Sequence, residues 1–260
     1  MFKILKYSIF DLLRSRWSFI YLVFYLLLGS VLLLLNSNLS NAIITLLNVV
    51  TVLVPLIGTI FGIMYYYDSK EFTELLLAQP IKRSNIFLGQ YFGVAISLSL
   101  SLIIGLGIPF LFYGLVISEK VFEFISLIIV GTFLTFIFTA ISFFIALSFD
   151  NKIKGFSVAI LMWLLLAVIY DGIFLISLVY FEQYPLDVFS LTAVMLNPID
   201  LGRTLMLLKL DISALLGYTG AIFKKFFGTN LGSTISFIVL IIWSLIPILG
   251  IVWKSNKKDF

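Results

Sequence analysis

The chain offers few side chains that could do chemistry, and most of them lie in one charged stretch between two apolar segments. This stretch runs from Asp68 to Gln90 and contains Lys70, Glu71, Glu74, Lys82 and Arg83. Away from it, Asp171 is the only carboxylate well inside an apolar segment. The 260 residues include no cysteine and no histidine, which excludes disulfides, Cys or His metal ligands and nucleophile–histidine pairs.

Asp171 needs an explanation because an unpaired carboxylate in a membrane costs at least about 2.5–3.5 kcal/mol. It could belong to a gate or a substrate path. It could equally be a hydrogen-bonded structural residue near the outer leaflet, since it lies about 24 Å along a helix from Gly155. Acid–base or aspartyl chemistry needs a second ionisable group, and the apolar segments supply none. An intramembrane enzyme is therefore disfavoured, and no catalytic or metal-binding residue is assigned.

The composition places the whole chain in a lipid bilayer. Hydrophobic residues make up 62% and charged residues 12%, with a mean hydropathy of +1.17, against about 45–50% and about 25% in soluble proteins. We expect one membrane domain, residues 1–260, with no room for a soluble enzyme. The net charge of +4 is spread over the membrane flanks, which favours contact with lipid headgroups over nucleic acid.

Six apolar stretches meet the length of about 20 residues that a membrane-spanning helix requires. The fold class predicted is therefore an all-α integral membrane protein with six transmembrane helices. The stretches are Trp17–Leu35, Ala42–Tyr67, Tyr91–Ile117, Val121–Phe149, Phe156–Phe181 and Ser233–Trp253.

The basic residues beside these stretches predict the orientation of the chain. One side of the membrane has many more of them in short flanks than the other, where Lys120 lies in a short loop. By the positive-inside rule, both termini and the charged stretch face the cytoplasm. The bases on that side are Lys3, Lys6, Arg14, Arg16, Lys70, Lys82, Arg83, Lys152, Lys154, Lys254, Lys257 and Lys258.

Two segments are amphipathic without spanning. Residues 1–16 alternate bases with apolar residues, which is typical of an interfacial helix. Between the fifth and sixth spans, the extracytoplasmic segment 182–232 contains the stretch Gly202–Gly228, which Lys209, Asp211, Lys224 and Lys225 interrupt. Its longest uncharged piece, Ile212–Phe223, is too short to span, so we expect interfacial outer helices there.

Small residues recur at every fourth position in the third span, and a shorter version occurs in the second. Such stripes allow helix backbones to approach closely in lipid. They predict either contacts within the chain or a dimer interface, and the sequence does not choose between the two. The residues are Gly89, Gly93, Ser97, Ser101 and Gly105, with Gly58 and Gly62.

The charged stretch predicts a short amphipathic helix that stops at Pro80. Such a helix could insert Phe72, Leu75 and Leu76 into the groove of a soluble partner. The charges of Glu71, Glu74 and Arg83 would then fix its register. A solvated loop without a partner is the alternative.

Several motifs resemble those of ABC-2 type permeases. The run from Glu71 to Gly89 is similar to the first cytoplasmic loop of that family, with acidic residues, a leucine pair, a proline and bases before the next span. The six-span layout and the basic amphipathic N-terminus also match. Within the family, Leu196–Arg203, Trp253–Asp259 and Asp171 resemble the membrane subunit of the transporter that matures nitrous oxide reductase.

The resemblance implies a homodimer bound to two cytoplasmic ABC ATPase subunits in a bacterial or archaeal inner membrane. The helix Glu71–Ala78 would dock on each ATPase, and ATP and Mg would be bound there rather than by this chain. A periplasmic β-helical accessory protein would dock on the outer segment, where Asn197, Pro198, Asp200 and Arg203 are the candidate contacts. Metal handling would fall to partner proteins.

Two other functions remain open on the sequence. An ABC-2 exporter of a hydrophobic peptide, antibiotic or lipid would need a path between the dimer halves. A non-transporting membrane scaffold would bind no ATPase through the charged stretch.

Overall fold

The computed structural model describes residues 1–14, 16–36, 38–181, 183, 186–210 and 220–258. Within these ranges the regular elements are all helices. They are α1 Phe2–Arg14, α2 Arg16–Leu35, α3 Leu39–Asp68, α4 Lys70–Leu77, α5 Arg83–Phe112, α6 Val121–Ser148, α7 Lys152–Leu164, α8 Tyr170–Tyr180, α9 Asp187–Met195, α10 Pro198–Lys209, α11 Gly220–Phe227 and α12 Asn230–Lys257. A 3₁₀ turn, Leu115–Ile117, follows α5, and a π turn, Leu165–Ile169, joins α7 to α8.

Six helical runs of the described residues are long and apolar enough to cross a membrane, which confirms the all-α, six-span prediction. They correspond to α2, α3, α5, α6, the continuous run Lys152–Tyr180 and α12. The third run differs from its predicted bounds, Tyr91–Ile117. It begins at Arg83 and ends at Phe112. It ends early where Gly114 adopts a φ of +94°, a left-handed conformation that terminates helices.

The core of the bundle lies between α3, α5 and α6. In the most apolar part of each of these three helices, half or more of the residues are buried within the chain. The corresponding share is 11% for the run Lys152–Tyr180 and 22% for α12. Apolar helices with so little protein around them require lipid or other protein on their outer faces. The chain is therefore a multi-pass membrane protein.

The stripe of small residues in α5 faces α1 and α2 of the same chain. A Cβ added at Gly105 would lie 2.7 Å from the Cβ of Tyr25, and one added at Gly89 would lie 3.0 Å from Ile4 Cγ2. Gly93 faces Ser8 in the same way. The stripe is completed by Ser97 and Ser101, both buried.

The shorter stripe in α3 packs on α6. Gly58 faces Thr139, and Gly62 faces Ser142 so closely that a side chain there would clash with the serine hydroxyl. Both stripes therefore make contacts within the chain in this structure, which is the first of the two interpretations that the sequence left open.

Helices α9 and α10 form a pair bent by 113°, as in a broken span or a re-entrant loop. α10 packs against α3 and α6, and a Cβ at Gly202 would lie 2.8 Å from Val130 Cγ1. The structure adds that the α10 part of the Gly202–Gly228 stretch packs on two of the spans. The interfacial position of this stretch stays a prediction. Asp211 and residues 212–219 lie outside the described residues.

Candidate functional site

The inward face of α4 lies against α1 and the start of α5. Leu76 is 9% exposed and packs in a small cluster with Ile4 and Ile86. Phe72 stacks on Tyr7, with ring centroids 4.5 Å apart. The charged stretch is thus a helix with a packed apolar side, as its amphipathic pattern predicts.

A buried hydrogen bond fixes α4 to α5. Gln90 is fully buried, and its Nε2 donates to Thr73 Oγ1 at 2.8 Å. The Thr73 hydroxyl in turn donates to the carbonyl of Ser69 at 2.8 Å. Because a buried side-chain amide is costly to leave unpaired, this bond resists sliding of α4 along α5.

The outward face of α4 presents Leu75 beside the carboxylates of Glu71 and Glu74, and Glu74 lies 3.9 Å from Lys70 Nζ. Glu71, Glu74, Leu75 and Ala78 are all exposed, and their spacing places them on one helix face. Leu75 is 69% exposed. Of the three apolar residues expected to enter a partner groove, Leu75 is the exposed one, whereas Leu76 is buried and Phe72 is half-buried against Tyr7.

After the turn that follows α4, the start of α5 is hydrogen-bonded to the end of α12. Pro80 is exposed in this turn. Arg83 Nη1 donates to the carbonyl of Lys258 at 2.7 Å. Lys258 Nζ pairs with Asp150 at 2.7 Å and donates to the carbonyl of Leu147 at 3.1 Å. The pKa of the Asp150 carboxyl is lowered because Lys258 donates a hydrogen bond to it and adds positive charge nearby.

The end of α3 is fastened to the loop between α6 and α7. Tyr67 donates its hydroxyl to the carbonyl of Phe149 at 2.7 Å, and Lys152 Nζ lies 2.7 Å from Asp68 Oδ1. We call this side of the molecule, with α1, α4 and these contacts, the α4 end. The contacts just described link α3, α5, α6, α7 and α12 at the α4 end.

A second polar cluster surrounds Asp171 at the start of α8. Arg203 Nη2 of α10 lies 3.0 Å from Asp171 Oδ1 and 3.3 Å from Asp200 Oδ1. The view of Asp171 as an isolated carboxylate is therefore corrected. The sequence did contain a signal, because an intramembrane carboxylate requires a partner and Arg203 is a basic residue in the segment that follows the same span.

Asn197 joins α10 to the π turn of the fifth span. Its Oδ1 accepts from the backbone N–H of Ile199 at 3.1 Å and caps α10. Its Nδ2 donates to the carbonyl of Leu166, in the π turn, and to Asp200 Oδ2, both at 2.8 Å. Sequence reasoning had not found this bridge, because no local pattern marks a π turn or its partner.

The residues expected to form an outer partner dock are mostly turned inward. Asn197, Pro198 and Asp200 are buried, and the side chain of Arg203 is 35% exposed. Beside them lies a cavity of about 310 Å³ that Asp171, Asp200 and Arg203 help to line. In the described residues, no group of three or more acidic, Cys or His side chains is arranged to hold a metal ion.

Among curated proteins, the chain is similar to the "Probable ABC transporter permease protein NosY" of Stutzerimonas stutzeri, with 26% identity over 178 residues. The chain is related to an ABC transporter permease. The match covers 66% of this chain and 64% of the relative, so the chain spans less than two thirds of the length of this permease. No family model matches the chain.

Proposed function

We propose that the chain is the transmembrane subunit of an ABC transporter and that α4 receives the movement of a separate cytoplasmic ATPase. The observation that supports this most directly is the two-sided nature of α4. One face is packed on α1 and α5, and the other presents Leu75 beside Glu71 and Glu74. The relationship to a permease supports the same function.

A helix held in this way can act as a lever. Leu75 would enter an apolar pocket of the ATPase, and the two carboxylates would select the orientation. Because the Thr73–Gln90 bond and the Leu76 cluster resist sliding, displacement of α4 would be passed to the bases of α5 and α1. ATP and Mg would be bound by the ATPase, and two copies of this chain would face two ATPase subunits.

The experiment compares Leu75→Asp with Ile153→Asp in the full chain co-expressed with an ABC ATPase from the same genome. Ile153 is a matched control because it is 77% exposed and lies near the α4 end, outside α4. We expect Leu75→Asp to reduce ATPase co-purification at least about tenfold, since a buried leucine contributes about 1.5–3 kcal/mol. Ile153→Asp should leave it unchanged.

A third variant separates docking from folding. Leu76→Asp places a charge in the cluster with Ile4 and Ile86, so it should lower the thermal stability of the isolated chain, which Leu75→Asp should not. ATPase capture that is equal for wild type and Leu75→Asp, with both proteins folded, contradicts the assignment of α4 as the ATPase contact.

In its narrow form, the proposal is that the subunit transmits movement to a periplasmic β-helical partner in copper-site maturation of nitrous oxide reductase. The support is the resemblance of Leu196–Arg203 together with the direct contact of this motif with Asp171 in the fifth span. Since most of the motif is buried, its exposed neighbours are the better candidates for a dock. Val188 of α9 is 78% exposed.

Co-expression with a secreted β-helical protein from the same gene neighbourhood tests this form. We expect capture by wild type and by Leu231→Asp, a control that is 78% exposed at the start of α12. Val188→Asp should reduce the capture. Absence of capture by the wild type, with the ATPase still bound, rejects the narrow form and favours the exporter of a hydrophobic peptide, antibiotic or lipid.

A further inference from the structure

An apolar cleft of about 800 Å³ lies between α7 and α12, with α6 as its floor. Its walls include Val158 and Leu161 of α7 and the α12 residues from Trp243 to Trp253. Leu161 is 62% exposed, and Trp253 is 56% exposed. The cleft is therefore open toward the surrounding bilayer, and its volume is within the range of small-molecule sites.

The length of the cleft matches one leaflet of a membrane. From Trp243 to Trp253, α12 rises about 15 Å. The hydrocarbon core of a bilayer is about 30 Å thick, so the cleft extends over about half of it. An occupant that enters from the bilayer and fills this length is an acyl chain of a single leaflet.

Basic side chains lie at one end of the cleft. On α7, Lys154 is exposed and lies one turn before Val158, on the same helix face. On α12, Lys254 and Lys257 continue the stripe of cleft residues past Trp253. Lys257 Nζ lies 4.5 Å from the centroid of the Trp253 ring, so it is placed at the mouth.

The charges around this mouth favour an anion. Neither α7 nor α12 contains an aspartate or glutamate. The nearby Asp150 carboxylate is paired with Lys258, and Asp68 is paired with Lys152. The mouth lies at the α4 end, where a phospholipid headgroup would meet the lysines while its acyl chain lies in the cleft.

From these features we infer that the cleft between α7 and α12 is a binding site for one phospholipid with an acidic headgroup. The apolar walls hold an acyl chain, and Lys154 and Lys257 contact the phosphate. The lipid fills the space between two helices that both pack on α6, so its binding stabilises their separation. The site is independent of α4 and of any ATPase.

The test uses the full chain in detergent, with native mass spectrometry and thermal unfolding as readouts. The lipid probes are phosphatidylglycerol and phosphatidylcholine of identical acyl chains. We expect phosphatidylglycerol to be retained and to raise the unfolding temperature, and phosphatidylcholine to do neither to the same extent.

Two variants locate the site. Lys154→Gln/Lys257→Gln should weaken phosphatidylglycerol binding about thirtyfold, at about 1 kcal/mol per lysine. The matched control Lys209→Gln/Lys225→Gln removes two exposed lysines near the segment between the fifth and sixth spans and should have no effect. Leu161→Trp should fill the cleft and abolish retention, whereas Ile176→Trp, 69% exposed and outside the cleft, should not.

The inference is overturned if wild type retains the two lipids equally, or if the double variant at the mouth binds phosphatidylglycerol like wild type. Retention of the lipid by a folded Leu161→Trp variant places it elsewhere and also overturns the inference. If Leu161→Trp fails to fold, the lysine double variant decides whether the lipid binds in the cleft. Lys154 and Lys257 are exposed, so their replacement should not prevent folding.

Discussion

Arg203 shows how a single residue can make two carboxylates tolerable inside an apolar bundle. Its guanidinium lies between Asp171 and Asp200, and it is always charged. Removal of Asp171 leaves the pair formed by Arg203 and Asp200. Removal of Arg203 leaves two carboxylates of like charge close together in a medium that screens them poorly.

We therefore predict that Arg203→Gln destabilises the chain more than Asp171→Asn does. The ion pair is about a third exposed, so its loss should cost about 1–3 kcal/mol, between the values for surface and buried pairs. Chemical unfolding in detergent measures both variants and the double variant. The double variant should be more stable than the sum of the single effects predicts, and strict additivity would show that the two side chains are not coupled.

Among the elements, α10 depends on a cap that has a second role. Asn197 followed by Pro198 is a strong start signal for a helix. The same side chain holds the π turn of the fifth span through the carbonyl of Leu166. Asn197 thereby joins the π turn of the fifth span to the start of α10.

Asn197→Ala should be clearly more destabilising than Asn151→Ala. Both asparagines cap helices, but Asn151 is exposed and its side chain accepts from the N–H groups of Ile153 and Lys154 alone. Its loss should cost about 1 kcal/mol, and the loss of Asn197 about 2–4 kcal/mol, because buried partners remain unsatisfied. Thermal unfolding measures the difference. Equal effects would argue against a structural role for the bond to Leu166.

Two glycines of α5 offer a test of the contact with α2. At Gly105 a Cβ would lie 2.7 Å from Tyr25 Cβ and 2.9 Å from the carbonyl of Leu22, whereas Gly107 has no atom within 4 Å. Gly105→Ala should cost about 1–3 kcal/mol because the helices must separate. Gly107→Ala should be neutral or stabilise by up to about 1 kcal/mol. If Gly107→Ala lowered the stability and Gly105→Ala did not, the face of α5 that carries Gly107 would be the one packed on α2.

At the scale of the whole molecule, ion pairs link separate helices at the α4 end. The folded pKa of Asp150 is lowered by Lys258, so the pair contributes stability above the unfolded pKa of about 3.9 and loses it as the pH falls through the folded value. The unfolding temperatures of wild type and Asp150→Asn should therefore differ near pH 6 and converge in acid. The difference should also shrink in high salt, because the carboxylate is 87% exposed. A difference that persists in acid would have another cause.

The sequence was sufficient for the parts of the fold that hydropathy controls. Six apolar runs became six spans, and the helical period of residues 70–77 became α4. It was not sufficient for the contacts of α10, because no local pattern shows that Arg203 lies beside Asp171 and Asp200. Which side of α4 is buried depends on α1, and the neighbouring leucines Leu75 and Leu76 differ only in that contact.

The outward face of α4 also constrains the protein that would bind it. Because Leu75 lies beside Glu71 and Glu74, and Lys70 pairs with Glu74 alone, a complementary surface would combine an apolar pit with a cation placed to meet Glu71. Candidate ATPases from the same genome can therefore be ranked by lysines and arginines around a hydrophobic depression. The encounter of the two proteins should be faster at low ionic strength, since opposite charges steer association over the Debye length.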